Sequence, residues 1–311
     1  MLKLGSAKLN SEHSSYSMNT KEIIKNAVDL HVHIGPEIIP RKFTLPDLVE
    51  YEKGKIKTIA VKNHFFPTVF SGNLISSEKP SITHSVALNL SNGGFNSEII
   101  KASCELANAP IIVWFPTIHA QNFLEKSDYE IAPEWFEDKN FKARKSNLIK
   151  GLNVFDESGN LKPEVINVLK VIKETDSILA TGHISWKESK SLVEFATKKL
   201  KLKKIIITHP IYQKIDMPLE IQKELANLGA FIEVPFSMYS IDKIPIEKLI
   251  EHIKTVSSKN VILSSDVGQT FSKSPSEALE EFIDLLSEQG ISEKEIDVML
   301  VKNPNCLVSS L

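Results

Sequence analysis

DLHVHIGP, residues 29–36, ends a short apolar run with two histidines one residue apart. Side chains alternate across a strand with a period of two. AVDLHVH (27–33), read as a strand, therefore turns His31 and His33 to one face, with Asp29 one layer deeper on that face. Seven runs of the same kind follow: KTIAVKNH (57–64), ITHSVALNL (82–90), APIIVWFPT (109–117), SILATGH (177–183), KIIITH (204–209), AFIEVPF (230–236) and NVILSSD (260–266). All are short and rich in Val, Ile and Leu, the composition of parallel strands buried on both faces.

Helix signals occupy the gaps. Thr44 precedes LPDLVEYEK, which Gly54 stops, and the helical run 217–228 ends at Gly229. Ser185-x-x-Glu188, Ser274-Pro275-x-Glu277 and Ser292-x-x-Glu295 are capping boxes, in which the hydroxyl accepts one orphan backbone N–H and the glutamate another. Eight strands alternating with helices predict parallel βα units, and the alternation alone fits an open doubly wound sheet as well as a barrel. The histidines separate the two. His31, His33, His64, His183 and His209 each fall at the C-terminal end of a predicted strand, and His119 lies just past the fourth. Strand ends on opposite edges of an open sheet lie too far apart to converge, whereas a closed barrel gathers them at its mouth. The expectation is an α/β chain folded as a (β/α)8 TIM barrel over 23–311. A flexible Ser-, Asn- and Lys-rich arm is expected over 1–22, and an insertion after strand 4, about 119–162, lying over one face as a lid would.

Composition excludes several classes of function. Of the 311 residues 42% are hydrophobic, enough for a large core, and 37 basic residues against 39 acidic leave a formal charge of -2, with no basic excess to draw nucleic acid. No stretch approaches the ~20 apolar residues of a membrane span. The opening MLKLGSAKLNSEHSSYSMNTK lacks the apolar centre of a signal peptide. Cys104 and Cys306 are too few to staple the chain and read as reduced thiols of a cytoplasmic protein. No glycine-rich nucleotide loop and no GxSxG occurs. The expected partner is a small-molecule substrate, with no nucleic acid and no membrane, and a homo-oligomer is left open.

A neutral imidazole ligates zinc and similar divalent ions, and a carboxylate completes such a set. A lone His-x-His is a weak signal, and a single histidine at a strand end is more often bonded structure. The joint pattern carries more. His31 and His33 on strand 1, His183 on strand 5, His209 on strand 6 and Asp266 on strand 8 are able to enclose one or two ions.

This order resembles the amidohydrolase superfamily, metal-dependent hydrolases on a (β/α)8 barrel. DLHVHIGP, TGHIS, THPIY and SSDVGQ fit its strands 1, 5, 6 and 8, and the closing KNPNCLV looks like the helix start that often ends such chains. The resemblance covers about residues 26–308. Within it HIGPEIIPR, VKNHFFPT, LNLSNGGFN, WFPTIHA and LATGHIS look like an uncharacterised amidohydrolase-related family, a domain of unknown function. The resemblance implies one or two divalent ions, zinc first with manganese or iron as alternatives. It also implies an Asp266 that takes the proton from the attacking water and passes it to the leaving group. The sequence departs from the pattern at strand 4, where WFPTIHA has no Lys or Glu to bridge two metals. Lys62 is a substitute, either as a carbamate formed by the neutral amine or as a cation gripping an anionic substrate. His64 is then a ligand or a supporting donor, and His119 stands near the missing ligand.

Other residues carry paired readings. Glu233, mid-strand in AFIEVPF, is a site residue or half of a structural ion pair. Arg41 clamps a carboxylate or phosphate, or is a solvated surface arginine. Asn89 orients substrate or caps a turn. His84, early in strand 3, is structural. The expected activity is hydrolysis of a C–N, lactone or similar bond by metal-activated water. The alternatives are a phosphoesterase, a decarboxylase, or a non-catalytic barrel that binds a metal or small ligand.

Overall fold

The computed structural model describes residues 20–72, 80–138, 141 and 143–309. Most of the expected N-terminal arm, residues 1–19, lies outside the described residues. Its last part does not form an arm: residues 20–26 are helical and lead directly into the first strand.

Eight strands follow one another in parallel. They are β1 (Val28–His33), β2 (Thr58–Lys62), β3 in two segments (Ser81–Thr83 and Ser85–Ala87), β4 (Ile112–Trp114), β5 (Ile178–Ala180), β6 (Ile205–Ile207), β7 (Phe231–Pro235) and β8 (Val261–Ser264). Each neighbour in this order is hydrogen-bonded to the next, the two segments of β3 serving β2 and β4 respectively. The last strand returns to the first. Asp266 N–H donates to His31 C=O at 2.8 Å, His33 N–H donates to Val267 C=O at 2.8 Å, and Val32 and Val267 form a parallel bridge. These bonds close the sheet, and the fold is the expected barrel.

The helices on its outside are α1 (Leu45–Glu52), α2 (Ser97–Ala107), α3 (Pro163–Glu174), α4 (Trp186–Lys198), α5 (Leu219–Asn227), α6 (Ile246–Val256) and α7 (Pro275–Glu288). Among the described residues the β2–β3 connection holds only a 3-10 turn, Thr68–Ser71. The capping boxes start helices where the spacing placed them: Ser185 caps α4 with Glu188, Ser274 caps α7 with Glu277, and Ser292 caps Glu293–Asp297 with Glu295. No helix among the described residues is long and apolar enough to cross a membrane.

The barrel interior is a packed core. Val28, Leu30, Ala60, Ala87, Ile112, Trp114, Ile178, Ala180, Ile206 and Ile262 form one buried cluster, with Leu307 of the terminal Asn303–Val308 helix packed among them. Trp114 is opposite Ala87 on one side and Ala180 on the other, so two methyl side chains make room for one indole. Interior Val28 and Leu30 show that β1 does not alternate through its whole length. The β1–β2 register shifts between Asp29 and Val32, and below this irregularity the even residues face inward. Asp29 is therefore not one layer beneath His31. Its Oδ1 accepts the backbone N–H groups of His31 (3.2 Å) and Ser265 (3.0 Å) at the seam between β1 and β8.

Candidate metal centre

The site lies at the C-terminal ends of the strands, where side chains no longer belong to the ladder. Two glycines permit the approach of their neighbours. A Cβ on Gly182 (φ +62°) would stand 2.2 Å from Phe115 O, and one on Gly268 (φ +143°) 2.3 Å from His33 O. Gly182 sets the turn that presents His183, and Gly268 lets the loop after β8 lie on the backbone of His33. Asp266 itself takes φ +49°, a left-handed conformation that aspartate tolerates, and this turns its carboxylate back over the mouth.

His31, His33 and Asp266 offer ligand atoms that all lie within 4.8 Å of one another. Asp266 Oδ1 is 3.1 Å from Nε2 of both His31 and His33, and Asp266 Oδ2 accepts the Ser237 hydroxyl at 2.7 Å. His31 is held from behind. Its Nδ1 donates to Glu233 Oε1 at 2.8 Å, which leaves Nε2 with the lone pair. The same Oε1 accepts the Ser264 hydroxyl (2.7 Å), and Oε2 accepts the His209 N–H (3.1 Å). His183 and His209 lie beside this group, with ring centroids 5.0 Å apart and His209 5.9 Å from His31. Nδ1 of each is buried without a hydrogen-bond partner among the described residues. Unpaired buried nitrogens of this kind are costly unless an acceptor, a donor or an ion satisfies them.

All the site histidines are held neutral. Burial pushes His31 and His209 down to about 3 and His33, His64 and His183 well below the ordinary imidazole value, with neighbouring cations acting in the same direction. Neutral imidazoles are the form that binds a metal. Lys62 is fully buried, and burial lowers it to about 8. Its Nζ stands 2.9 Å from His31 Nε2 and 4.3 Å from the Trp114 ring centroid. Lys62 Nζ thus stands on the lone-pair side of His31 Nε2, the side a metal ion would take. The donor set fits a divalent ion: two histidines and an aspartate already converge, and two further imidazoles at the same mouth have a nitrogen unpaired.

The structure brings His33, Arg41, Lys62, His64, His183, His209 and Asp266 to one cleft, with the fully buried His31 and its partner Glu233 just beneath. Asn89 and His119 stand outside it. Asn89 is fully buried and works on the backbone: Nδ2 donates to His64 O and Thr117 Oγ1, and Oδ1 accepts Thr117 N–H and His119 N–H. His119 turns away from the mouth, accepting the Leu90 N–H and facing Glu130, which Arg144 also binds. Strand 4 has no substitute for a bridging ligand there, because its inward position is filled by Trp114. His84 separates the two segments of β3, with Thr68 Oγ1 3.2 Å from its Nδ1.

The cleft also holds residues that the strand-end pattern did not single out. Tyr212 lies against His183 and His209, and its buried hydroxyl has no partner among the described residues. Asp242 lines the wall and is raised to about 7 by burial and by Asp266 and Glu134. The insertion contributes Trp135, which stacks on His64 at 5.7 Å and 7°. Tyr212 had one usable signal, its place three residues after His209 in THPIY; Asp242 had none.

Residues 26–233 match the sequence profile of a family described as "Family of unknown function (DUF6282)". No curated protein matches the chain in sequence. Among solved structures, an amidohydrolase from Pseudomonas aeruginosa is 11% identical with a TM-score of 0.60, over 93% of this chain and 98% of that one. The probable dipeptidase PvdM from the same organism is 12% identical with a TM-score of 0.59, over 94% and 97%. A dihydroorotase is 14% identical with a TM-score of 0.52, over 91% and 69%. At these identities the likeness is one of fold.

Proposed function

The chain belongs to the DUF6282 family, and we propose that it is a metal-dependent hydrolase acting on a C–N, lactone or similar bond of a small molecule. The observation that carries this reading is the convergence of His31, His33 and Asp266 beside two imidazoles, His183 and His209, that each keep a buried nitrogen unpaired. The amidohydrolase, dipeptidase and dihydroorotase activities named for proteins of this fold agree with it. His31, His33, His183, His209 and Asp266 would hold the ion, and imidazole-rich sets of this kind suit zinc. When bound, a divalent ion polarises the scissile carbonyl and lowers the pKa of water towards neutrality.

The protein's own groups divide the remaining work. Asp266, fixed by the Ser237 hydroxyl, is the base that takes the proton of the attacking water and delivers it to the leaving group. Glu233 fixes the tautomer of His31. Tyr212, whose hydroxyl burial keeps protonated, donates to the oxygen that gains charge. Lys62, whose Nζ stands 2.9 Å from His31 Nε2 and over the Trp114 face, takes the role of a cation that grips the substrate. Trp135 covers His64 and keeps water from one side of the cleft.

Elemental analysis of protein purified without chelator tests the reading. At least one divalent ion per chain is expected in the wild type and close to none in the His31→Ala/His33→Ala double variant, whose circular dichroism stays that of a folded barrel. Full metal retention in the folded double variant would contradict the assignment. A panel of amides, lactones and phosphomonoesters then identifies the bond.

A further inference from the structure

We propose that the cleft binds its substrate through an anionic oxygen group, a carboxylate or a phosphate, seated on Nη1 of Arg41. The proposal rests on the hydrolase reading for the remainder of the substrate, but the anion subsite stands on its own geometry. The Arg41 side chain is 2% exposed and lines the cleft. Its Nε donates to Glu37 Oε2 at 2.6 Å and its Nη2 stands 3.1 Å from His33 Nδ1, while Nη1 has no partner among the described residues. A buried guanidinium nitrogen without an acceptor costs free energy that a folded protein seldom leaves unrecovered.

The arginine is built in rather than laid on the surface. Glu37, also fully buried at its side chain, accepts the His64 N–H with its second oxygen, so the partner that orients the fork is itself fixed. The Arg41 backbone is bridged to Gln269 across the β8 loop, Lys42 N–H donates to Gly268 C=O, and Lys42 Nζ donates to Ser272 C=O. Two of the three guanidinium nitrogens serve positioning, and the third is buried without an acceptor. A planar donor with a fixed charge is matched by the oxygens of carboxylate and phosphate. Asp266 lines the same cleft and repels such a group, while Arg41 and Lys62, of opposite charge, attract it. Because Glu37 balances the charge of Arg41, recognition comes from the directed N–H groups more than from net charge.

The test is calorimetric titration of the purified full-length protein with inorganic phosphate and, separately, with acetate at constant ionic strength, after the metal content of each sample has been measured. Saturable binding of at least one anion is expected, weakened tenfold or more in Arg41→Met at unchanged metal content. Binding of phosphate alone assigns a phosphorylated substrate, and of acetate alone a carboxylated one. Equal affinity in wild type and Arg41→Met, or binding of neither anion to the wild type, would overturn the subsite. Should Arg41→Met fail to fold or lose its metal, a crystal structure of the wild type with the bound anion decides: an oxygen within hydrogen-bond distance of Nη1 supports the proposal, and an anion seated elsewhere refutes it. A wild type that holds no metal would end the hydrolase reading, while the titration would still report on Arg41.

Discussion

Glu233 Oε1 and His31 Nδ1 lie 2.8 Å apart, in a place where both side chains are essentially inaccessible to water. A carboxylate accepts, so the imidazole proton is fixed on Nδ1 and the lone pair on Nε2 points to Asp266 and Lys62. Glu233→Gln removes the charge that makes His31 a strong donor. It also sets an amide N–H against either the His209 backbone N–H or the His31 Nδ1–H. Metal affinity is expected to fall by about 10–100-fold, as for other carboxylate partners of metal-binding histidines. Competition with a chromophoric chelator measures it, and an unchanged affinity would show that His31 does not need this partner.

Tyr212, whose ring lies 5.7 Å from that of His183 and 5.4 Å from that of His209, carries a hydroxyl that nothing in the described structure pairs. On a substrate found by the panel, Tyr212→Phe is expected to lower kcat by about 10²–10³ if the phenol stabilises developing charge. Metal content should not change. The melting temperature should hold or rise, since the substitution removes an unsatisfied buried hydroxyl. A fall in stability with unaltered kcat would instead make Tyr212 part of the core.

The barrel was legible because β-rich runs and capping boxes recur in one order, and the site because histidines end those runs. The irregularity in β1 was not legible. It depends on the register between β1 and β2, and Asp29, Leu30 and His31 carry no local mark of it. The direction of His119 was also hidden. The bonds that turn it come from Leu90 and from Glu130 in the insertion, and such distant pairs leave no spacing to read. Arg41 kept two readings because a loop residue in a sequence is neither buried nor exposed; the backbone bridge to Gln269 decides that.

Asn89 shows how a polar residue near a mouth can belong to the scaffold. Its amide bonds with His64 O, Thr117 Oγ1, Thr117 N and His119 N, tying the loops after β2, β3 and β4 together. Asn89→Ala strands several buried groups at once, at roughly 1–3 kcal/mol for each one left unpaired. Urea unfolding is expected to show a loss of about 3 kcal/mol or more. Wild-type stability in the variant would return Asn89 to the list of substrate contacts.

Acid should weaken the metal-free protein, and the sign follows from the histidines. His31 and His209 are lowered to about 3 and His252, outside the site and facing Gln222 Oε1, to about 4; burial is the leading cause for all of them. Between those values and the ordinary 6.5 the unfolded chain binds protons that the folded chain refuses. Their contribution is therefore complete above 6.5 and is lost as pH falls through the window below it. Asp29 and Asp242, raised to about 7, act oppositely: between 3.8 and 7 the folded state keeps protons that the unfolded state releases. The histidines outnumber them, because His33, His64 and His183 are lowered as well. The urea midpoint should fall from pH 7 to pH 5, and His252→Gln should make that fall shallower without touching the metal donors. A midpoint that rises towards pH 5 would mean that the buried carboxyls, not the imidazoles, govern the acid side.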